Sequence, residues 1–422
     1  MRTRFHHFLT ALSVGVFLAV REIRRANLWT TLLIIFVMML TFLNLIVVGG
    51  ILVGLIQGST NAVHERYSSD LILSPLSRHA YIEESGRAVA LIKGLPEVTA
   101  VTARYIEAGR IEADYKKSRR PSDVPESAGG LVAGINPADE NRVTGLARFL
   151  KEGSYLRSDD YDQVLMGANL FYKYTPIDSP GLSTLRTAGV GSKVRLTVHG
   201  FTREVTIKGI IKAKVGELDQ RIYMVDAELR TLIGRSDLNV DEIAVKLIPG
   251  ANPDAVKQKL IAAGLGERAK VQTWSEAQPK FLTDIKDTFA LLGNVIGTIG
   301  LIVASITIFI VIFVNAITRR RSIGILKGIG INAAAIQCSY MLQAIFYALM
   351  GTALGSAVIY VMLVPYFASH PINFPFSDGI LVASPAGTTL RALILLAATA
   401  IAGFIPARIV VRQNTLDAIL GR

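Results

Sequence analysis

The sequence predicts a membrane protein with four transmembrane helices in a one-plus-three order and a large α+β extracytoplasmic domain inserted between spans 1 and 2. Three observations predict it. First, no residue from Asn27 to Val63 or from Thr288 to Thr318 carries a full charge, and two further apolar runs follow at Gln337–Val364 and Ala392–Ala407. A helix of about 20 apolar residues crosses a ~30 Å hydrocarbon core, and these runs fit that length. Second, the stretch between the first two spans is polar and near neutral, with Lys and Arg almost matched by Asp and Glu from Arg66 to Lys286. Third, the net charge of +12 gathers at the ends of the spans. Arg2, Arg4, Arg21, Arg24 and Arg25 precede span 1, and Arg319, Arg320, Arg321 and Lys327 follow span 2. Arg408, Arg412 and Arg422 follow span 4, while the loop from Pro365 to Leu390 has no Lys or Arg. Loops rich in Lys and Arg stay in the cytoplasm, so both termini and the second-to-third loop are expected inside and the head outside. A basic surface for nucleic acid is excluded by the same distribution.

Taken in order, residues 1–27 read as a cytoplasmic amphipathic helix, with Phe8, Leu9, Leu12, Val16 and Val20 above a basic rim, suited to the inner membrane interface. Residues 28–63 read as span 1 plus a stalk, because about 55 Å of helix exceeds the bilayer. Such a run is too long for the core of a secretory signal and is read as a retained anchor. Residues 64–274 form the head. Strands are expected at Leu71–Leu73, Val98–Arg104, Leu131–Ile135, Val164–Met166, Val194–Val198, Glu204–Ile211, Ile222–Val225, Ile243–Leu247 and Lys270–Thr273. His199-Gly200 is a tight hairpin turn between two of them. Helices are expected at Ser85–Lys93 and Pro253–Ala263, the second capped by Asn252. Tyr115–Gly130 (YKKSRRPSDVPESAGG) reads as a loop. Residues 275–318 give a second stalk, with Ser275 as helix cap, and span 2. Residues 319–334 form a short cytoplasmic helix, 335–364 span 3, 365–390 an outer loop, 391–411 span 4 and 412–422 a cytoplasmic tail.

Enzymatic constellations are absent. There is no GxxxxGK[ST] phosphate loop, HExxH, CxxC or GxSxG, and the 6 histidines are scattered outside the spans. No metal site is expected, and the lone cysteine, Cys338, excludes an internal disulfide. The spans hold neutral polar residues, among them Asn44, Asn294, Asn315 and Gln343, with Arg391 at an outer edge. Ion-coupled carriers need buried ionisable groups, so a secondary transporter is disfavoured. Gly293 with Gly297, and Gly351 with Gly355, set small residues four apart and let helices approach closely, within the chain or across a dimer.

The strongest local signal is Thr318–Gly330, TRRRSIGILKGIG, directly after span 2. Its arginines fix it at the inner surface, and Ile323, Ile325, Leu326 and Ile329 give it an apolar face. This motif resembles the R-x-E-I-G-I-L-K-A-I-G signature of MacB-like ABC permeases, the family of the macrolide exporter, the lipoprotein-releasing permeases and the cell-division permease FtsX. Gly403-Phe404-Ile405-Pro406-Ala407-Arg408 followed by Thr415-Leu416-Asp417-Ala418-Ile419 is similar to the family's closing G-x-x-P-A-R…P-x-x-A-L pattern. VLMGANL and GVGSKVRLTVHGFTREVTIKGII resemble the family's periplasmic domain. Ser322 stands where glutamate is usual and Thr415 where proline is usual.

The resemblance implies a dimeric permease, paired with itself or a relative. It implies a separate ABC ATPase, which would hold ATP and Mg while this chain needs no cofactor. It implies mechanotransmission: inner closure driven by ATP moves the outer heads to export or release a lipoprotein, drug, peptide or lipid. A periplasmic adaptor or acceptor, membrane lipid and an inner-membrane location belong to the same expectation. The competing reading is an FtsX-like signalling subunit that activates an extracytoplasmic enzyme without moving cargo. Contacts to the ATPase are expected from Arg320, Arg321, Ile323, Gly324, Ile325, Leu326, Lys327 and Gly328. From its own residues, the outer loop Pro365–Pro385, with Tyr366, Phe367, Phe374 and Phe376, reads as an interfacial anchor; the alternative is a lateral entry in which Phe374 and Phe376 contact an amphipathic cargo.

Overall fold

A computed structural model describes residues 2–116, 126–176, 183–278, 280–318, 320–374, 378–379 and 381–412. It falls into two compact units, one of Met1–Ile56, Asp284–Asn373 and Asp378–Arg422, the other of Gln57–Thr283 and Phe374–Ser377. The chain begins with α1 (Arg2–Arg25) and α2 (Leu28–Val63). α2 is apolar around its whole circumference, as a helix surrounded by lipid and other helices should be. It widens into a π-helical turn at His64–Ser68 before the first strand.

The second unit then builds a ten-stranded mixed sheet. Its first elements are β1 (Leu71–Pro75), α3 (Ser85–Lys93), β2 (Val98–Glu112), β3 (Ser127–Ile135), α4 (Pro137–Thr144), β4 (Leu150–Gly153) and β5 (Gln163–Gly167). The hairpin β6 (Lys193–Val198) and β7 (Phe201–Ile211) follows. The remainder is α5 (Gly216–Asp219), β8 (Arg221–Val225), α6 (Asp226–Ile233), β9 (Glu242–Leu247), α7 (Pro253–Ala262) and β10 (Ala269–Thr273). The order is β10-β1-β9-β2-β3-β8-β5-β7-β4, with β6 against β2 and β7. Neighbours run antiparallel except β3–β8 and β5–β7. All nine expected strands are present. β2 runs on to Glu112 because its far half changes partner, pairing first with β9 and then with β6. His199 and Gly200 close the hairpin at φ 50° and 82°, the doubly left-handed turn whose twist matches its strands.

Two expectations are corrected. Ser127–Gly130 belongs to β3, paired with Gly109–Glu112, so the loop predicted to reach Gly130 is shorter; residues 117–125 of it lie outside the described ones. Ser275 caps no helix. Its hydroxyl meets that of Thr273 at 3.0 Å in a turn, and the next helix starts at Lys280. Gln278 precedes a proline in the sequence, which steers it away from helical backbone.

The first unit resumes with α8 (Lys280–Thr318), α9 (Arg320–Gly328), α10 (Ala333–Ala357), a π-helical stretch at Val358–Leu363 and α11 (Val364–Ser369). Two-residue strands β11 (Ile372–Asn373) and β12 (Asp378–Gly379) pair before α12 (Pro385–Val411). Among the described residues, four helical segments are long and apolar enough to cross a membrane: Leu28–Ser68, Leu282–Thr318, Ala333–Ser369 and Pro385–Ile409. The bundle core gathers Met38, Phe42 and Ile46 of α2, Ile308 and Ile312 of α8, Tyr340 and Ala344 of α10, and Leu395 of α12. Gly351 and Gly355 press α10 onto α2, where a Cβ at Gly351 would sit 2.6 Å from Met38 Cβ. Gly293 and Gly297 face Leu52 and Leu45 at ordinary contact distance. α1 lies along α10: Gly15 abuts Ala335 and Cys338, and Gln343 Nε2 donates to Glu22 Oε2 at 2.6 Å.

Candidate functional site

Two places in the chain combine unusual residues with unusual placement. The first is α9. Nine residues with Ile at 323 and 325 offer two apolar edges, and the bundle takes one of them. Ile323 is 3% exposed and joins the core with Ile308, Ile312 and Ala407, and Gly324 beside it is buried. Leu326 is half-buried against the same core. Lys327 Nζ donates to Val411 O at 3.0 Å, so a cation caps the carbonyl end of α12. Arg321, Ser322, Ile325 and Gly328 are exposed, and so is Ile329, whose N–H donates to Ile325 O at 3.0 Å. Ile325 is 51% and Ile329 71% exposed. Of the residues expected to dock, Ile323 and Gly324 are covered by the bundle, while Arg321, Ile325 and Gly328 are uncovered, as are Ser322 and Ile329 beside them. The Arg320 side chain lies outside the described ones. Phe374 is half-buried, while Phe376 and Thr415–Ile419 lie outside the described residues.

The second place is where the chain enters and leaves the head, which the sequence did not single out. Arg104 on β2 is fully buried. Its Nε and Nη2 donate to the Glu140 carboxylate of α4 at 2.9 and 2.8 Å, and its Nη1 donates to Glu242 Oε2 of β9 at 3.0 Å. Arg221 on β8 donates to both Glu242 oxygens at 3.1 and 2.7 Å. Tyr67, in the π turn after α2, completes the set: its hydroxyl donates to Glu242 Oε1 at 2.7 Å and its carbonyl accepts from Arg104 Nη2 at 3.0 Å. Both guanidinium groups lie over its ring, 5.3 and 5.1 Å from the centroid. Two cations and two carboxylates thus neutralise each other out of water around one residue of the entering helix.

The electrostatics follow from that mutual neutralisation. Burial pushes the Glu242 carboxyl up, but Arg221 and Arg104 outweigh it and hold it near 2. Burial pulls the Arg104 guanidinium down, and Glu140 and Glu242 more than reverse that. Burial raises the Tyr67 hydroxyl well above its usual range, with the Glu242 charge adding to it. Burial also lifts Asp219 to about 6, although Ala213 and Lys214 donate their backbone N–H groups to it. Asp241, accepting from Ile106 N at 2.7 Å, rises to about 6 for the same reason.

The same region ties entry to exit. β1 and β10 are antiparallel neighbours with Leu71 opposite Thr273, so the chain arrives and departs at adjacent points of one sheet edge. His64 stacks on Trp274 at 4.4 Å, and Trp274 N donates to Asp70 O at 3.1 Å. Arg66 reaches Ala213 O and lies over Phe149. Neither a lone arginine in a strand nor a lone glutamate before one signals a partner in sequence; only the fold brings positions 67, 104, 140, 221 and 242 together. Among the described residues no group of His, Cys, Asp and Glu could hold a metal ion.

Comparison with known proteins places these features. Residues 31–263 match the MacB-like periplasmic core domain and residues 294–415 the FtsX-like permease C-terminal family. The lipoprotein-releasing system transmembrane protein LolC of Neisseria meningitidis serogroup B is 23% identical over 239 residues, 54% of this chain and 55% of LolC. The macrolide export ATP-binding/permease protein MacB of Shewanella sp. (strain W3-18-1) is 27% identical over 268 residues, 57% of this chain and 39% of MacB. The chain thus spans about half or less of the relatives it matches. The crystal structure of the periplasmic region of MacB from Actinobacillus actinomycetemcomitans aligns with 50% of this chain and 92% of its own, at 15% identity and a TM-score of 0.35.

Proposed function

Because this chain belongs to the family of ABC transporter permeases with a MacB-like periplasmic core domain and an FtsX-like permease region, we propose that it is a mechanotransmission subunit. It is the non-catalytic partner of an ABC ATPase that holds ATP and Mg. The uncovered edge of α9 receives the ATPase on the cytoplasmic side, where the termini also lie. The head responds on the far side of the inner membrane, and its movement exports or releases a lipoprotein, drug, peptide or lipid. A second permease copy, homodimeric or related, supplies the symmetric half, and a periplasmic adaptor or acceptor takes the cargo onward.

The observation that carries this reading is the division of α9 into two edges. Ile323 in the core and Lys327 on the end of α12 fix the helix to the bundle, so a push on Ile325 and Ile329 is delivered to the spans. A loop without that attachment would absorb the push. The four apolar runs carry no Asp, Glu, His or Lys in sequence, which supports a lever over a carrier. For the cycle to do work the ATPase must bind one arrangement of the permease better than the other.

The test is reconstitution with the ATPase encoded nearby. Ile325→Asp with Ile329→Asp should abolish co-purification of the ATPase while the permease stays folded. Unchanged co-purification and unchanged stimulation of ATP hydrolysis would reject the docking edge. Release of cargo from liposomes separates export from the FtsX-like alternative, in which a partner enzyme is activated and no cargo moves.

A further inference from the structure

The sequence sets Arg391 of α12 at an outer membrane edge, and the structure turns its guanidinium onto α2. A Cβ built at Gly49 would stand 2.8 Å from Arg391 Nη2 and 3.2 Å from its Cζ and Nη1, so the planar group rests on helix surface without a side chain. The adjacent Gly50 is buried, its carbonyl accepts from Val382 N at 3.1 Å, and a Cβ there would meet Leu381 Cδ1 at 2.8 Å. Gly49 and Gly50 thus make a notch in α2, bounded by the segment that enters α12 and occupied by a cation. The N–H donors of a guanidinium lie in its plane, so resting a face on Gly49 spends none of them. Arg391 is half-buried, and among the described residues it makes no hydrogen bond, ion pair or ring contact. Charged groups at membrane depth are costly and are found paired. Depth is fixed by two independent lengths. At a helical rise of ~1.5 Å per residue, Gly49 lies about 30 Å along α2 from Trp29, and Arg391 about 26 Å along α12 from Arg408. Both put the guanidinium at the far margin of a hydrocarbon core ~30 Å thick, where lipid phosphates begin.

From a guanidinium seated in a glycine notch, without a partner among the described residues and level with the headgroups, we propose that Arg391 binds the phosphate of a membrane phospholipid. Arginine's planar fork suits phosphate oxygens two at a time, and such charge-assisted bonds are strong. Lipid has access, because Leu390 and Ile394 on the flanks of Arg391 are 60% and 43% exposed. The bound phosphate ties α12 to α2 at one depth, beside the backbone bond that already joins Val382 to Gly50. The leaflet that supplies it, on the side of the head, follows from the orientation proposed above. The binding itself depends on neither an ATPase nor a cargo.

The full chain in phosphatidylcholine nanodiscs, without any ATPase, is the material for the test. Trace phosphatidylglycerol carrying a diazirine near its ester bonds is compared with the matching diacylglycerol, which lacks the phosphate. After irradiation, adducts are mapped by mass spectrometry. The ratio of the two probes is read on residues 46–53 and 386–394, and separately on the arginine-rich residues 319–330. On the first two segments the phospholipid should exceed the diacylglycerol by about tenfold, the worth of a hydrogen bond to a charged group. Arg391→Gln should bring that ratio close to one. Gly49→Ala keeps the charge, and its methyl meets the flexible end of Arg391, so the fold tolerates it while the guanidinium leaves its seat. The ratio should fall several-fold in this variant too. Residues 319–330 should keep their own ratio throughout. A parental ratio in Arg391→Gln overturns the site; a parental ratio in Gly49→Ala overturns the notch and leaves an ordinary interfacial cation. Asp378, the acidic residue of the loop 365–390, is the rival partner within the chain. If the preference for phosphate emerges only in Asp378→Asn, the protein itself engages Arg391 and the proposal falls. Soluble glycerol phosphate in millimolar excess should not compete; if it abolishes the preference, the site takes a free phosphate ester and the lipid assignment is overturned. Loss of ATPase binding in the α9 variants with this ratio intact would overturn only the coupling reading.

Discussion

Arg104 shows what single residues do here. Taking a guanidinium and two carboxylates out of water costs several kcal/mol per ion, recovered only because every charge is paired. Removing one partner leaves the others stranded. Arg104→Met should therefore lower head stability by about 3–5 kcal/mol, read as a fall in the thermal unfolding midpoint of the full chain. A change within about 0.5 kcal/mol, the usual range for surface substitutions, would mean the cluster is wetter than its burial implies. Asp219 predicts a pH effect. Its carboxyl is raised from 3.8 to about 6, so the folded head binds that proton more tightly than the unfolded chain. The ionised form thus costs stability above pH 6, and acidification toward pH 4 relieves it. Relative to Asp219→Asn, the parent chain should gain about 1 kcal/mol between pH 7.5 and 5. Asp241, with the same shift, adds to the parent's slope in both chains and cancels in the difference. Glu242, held near 2, loses its contribution only below 4.5 and is silent in this window. A pH-independent difference between the two chains would reject the assignment.

At the scale of elements, α9 and the glycine pairs separate what pattern can and cannot say. The motif places a short apolar helix after span 2, and the helix is there. Its facing was not legible, because isoleucines at 323 and 325 give either edge a claim and only the packing of α8, α10 and α12 decides. Ile323→Asp should accordingly disrupt the bundle itself, whereas Ile325→Asp should leave detergent-solubilised chain monodisperse and alter only docking. The two small-residue pairs look alike in sequence but differ in consequence. Gly351→Val places atoms against the Met38 backbone and should cost at least about 1–3 kcal/mol, seen as lost thermal stability. Gly297→Ala, at ordinary contact with Leu45, should change stability by less than about 0.5 kcal/mol. Equal effects of the two would show that the tight α2–α10 approach is not real. In the head, apolar alternation exposed the long strands, as in β6, where Val194, Leu196 and Val198 are buried in turn. β4 (LKEG) has no apolar run to read and forms because β7 offers it an edge. α4 has the same Asn-Pro start as α7, and Asn136 caps it, but its eight mostly polar residues give no helical stripe. The ion cluster was invisible for a deeper reason: its members come from the π-helical turn after α2 and from β2, α4, β8 and β9, and no local pattern encodes their meeting.

For the whole molecule, the decisive claim is sidedness, and charge distribution is what supports it. Translocating a loop that carries Arg319, Arg320, Arg321 and Lys327 is unfavourable, while the loop from Pro365 to Leu390 carries no such barrier. The α9 edge is therefore expected in the cytoplasm and the head across the bilayer from it. Leu238 and Ile329 are 72% and 71% exposed, so a cysteine at either is reachable by reagent once the side is right. In a Cys338→Ser background, Leu238→Cys should react with a membrane-impermeant maleimide in intact cells whose outer barrier is opened. Ile329→Cys should react only after the inner membrane is broken. Both variants sit on solvent-facing positions of this chain, so neither should perturb folding, and cells lacking the ATPase are used so that a docked partner does not cover Ile329→Cys. If both react from one side, a push received at α9 has no membrane to cross, and the division of labour between an inner docking edge and an outer head collapses whatever the ATPase binds. If they react from opposite sides, α2 and α8 are the covalent routes between them. The Tyr67 cluster then gains its physical sense: a lever moves its load only where the join does not yield, and a fully paired, water-free set of charges is a join with one geometry.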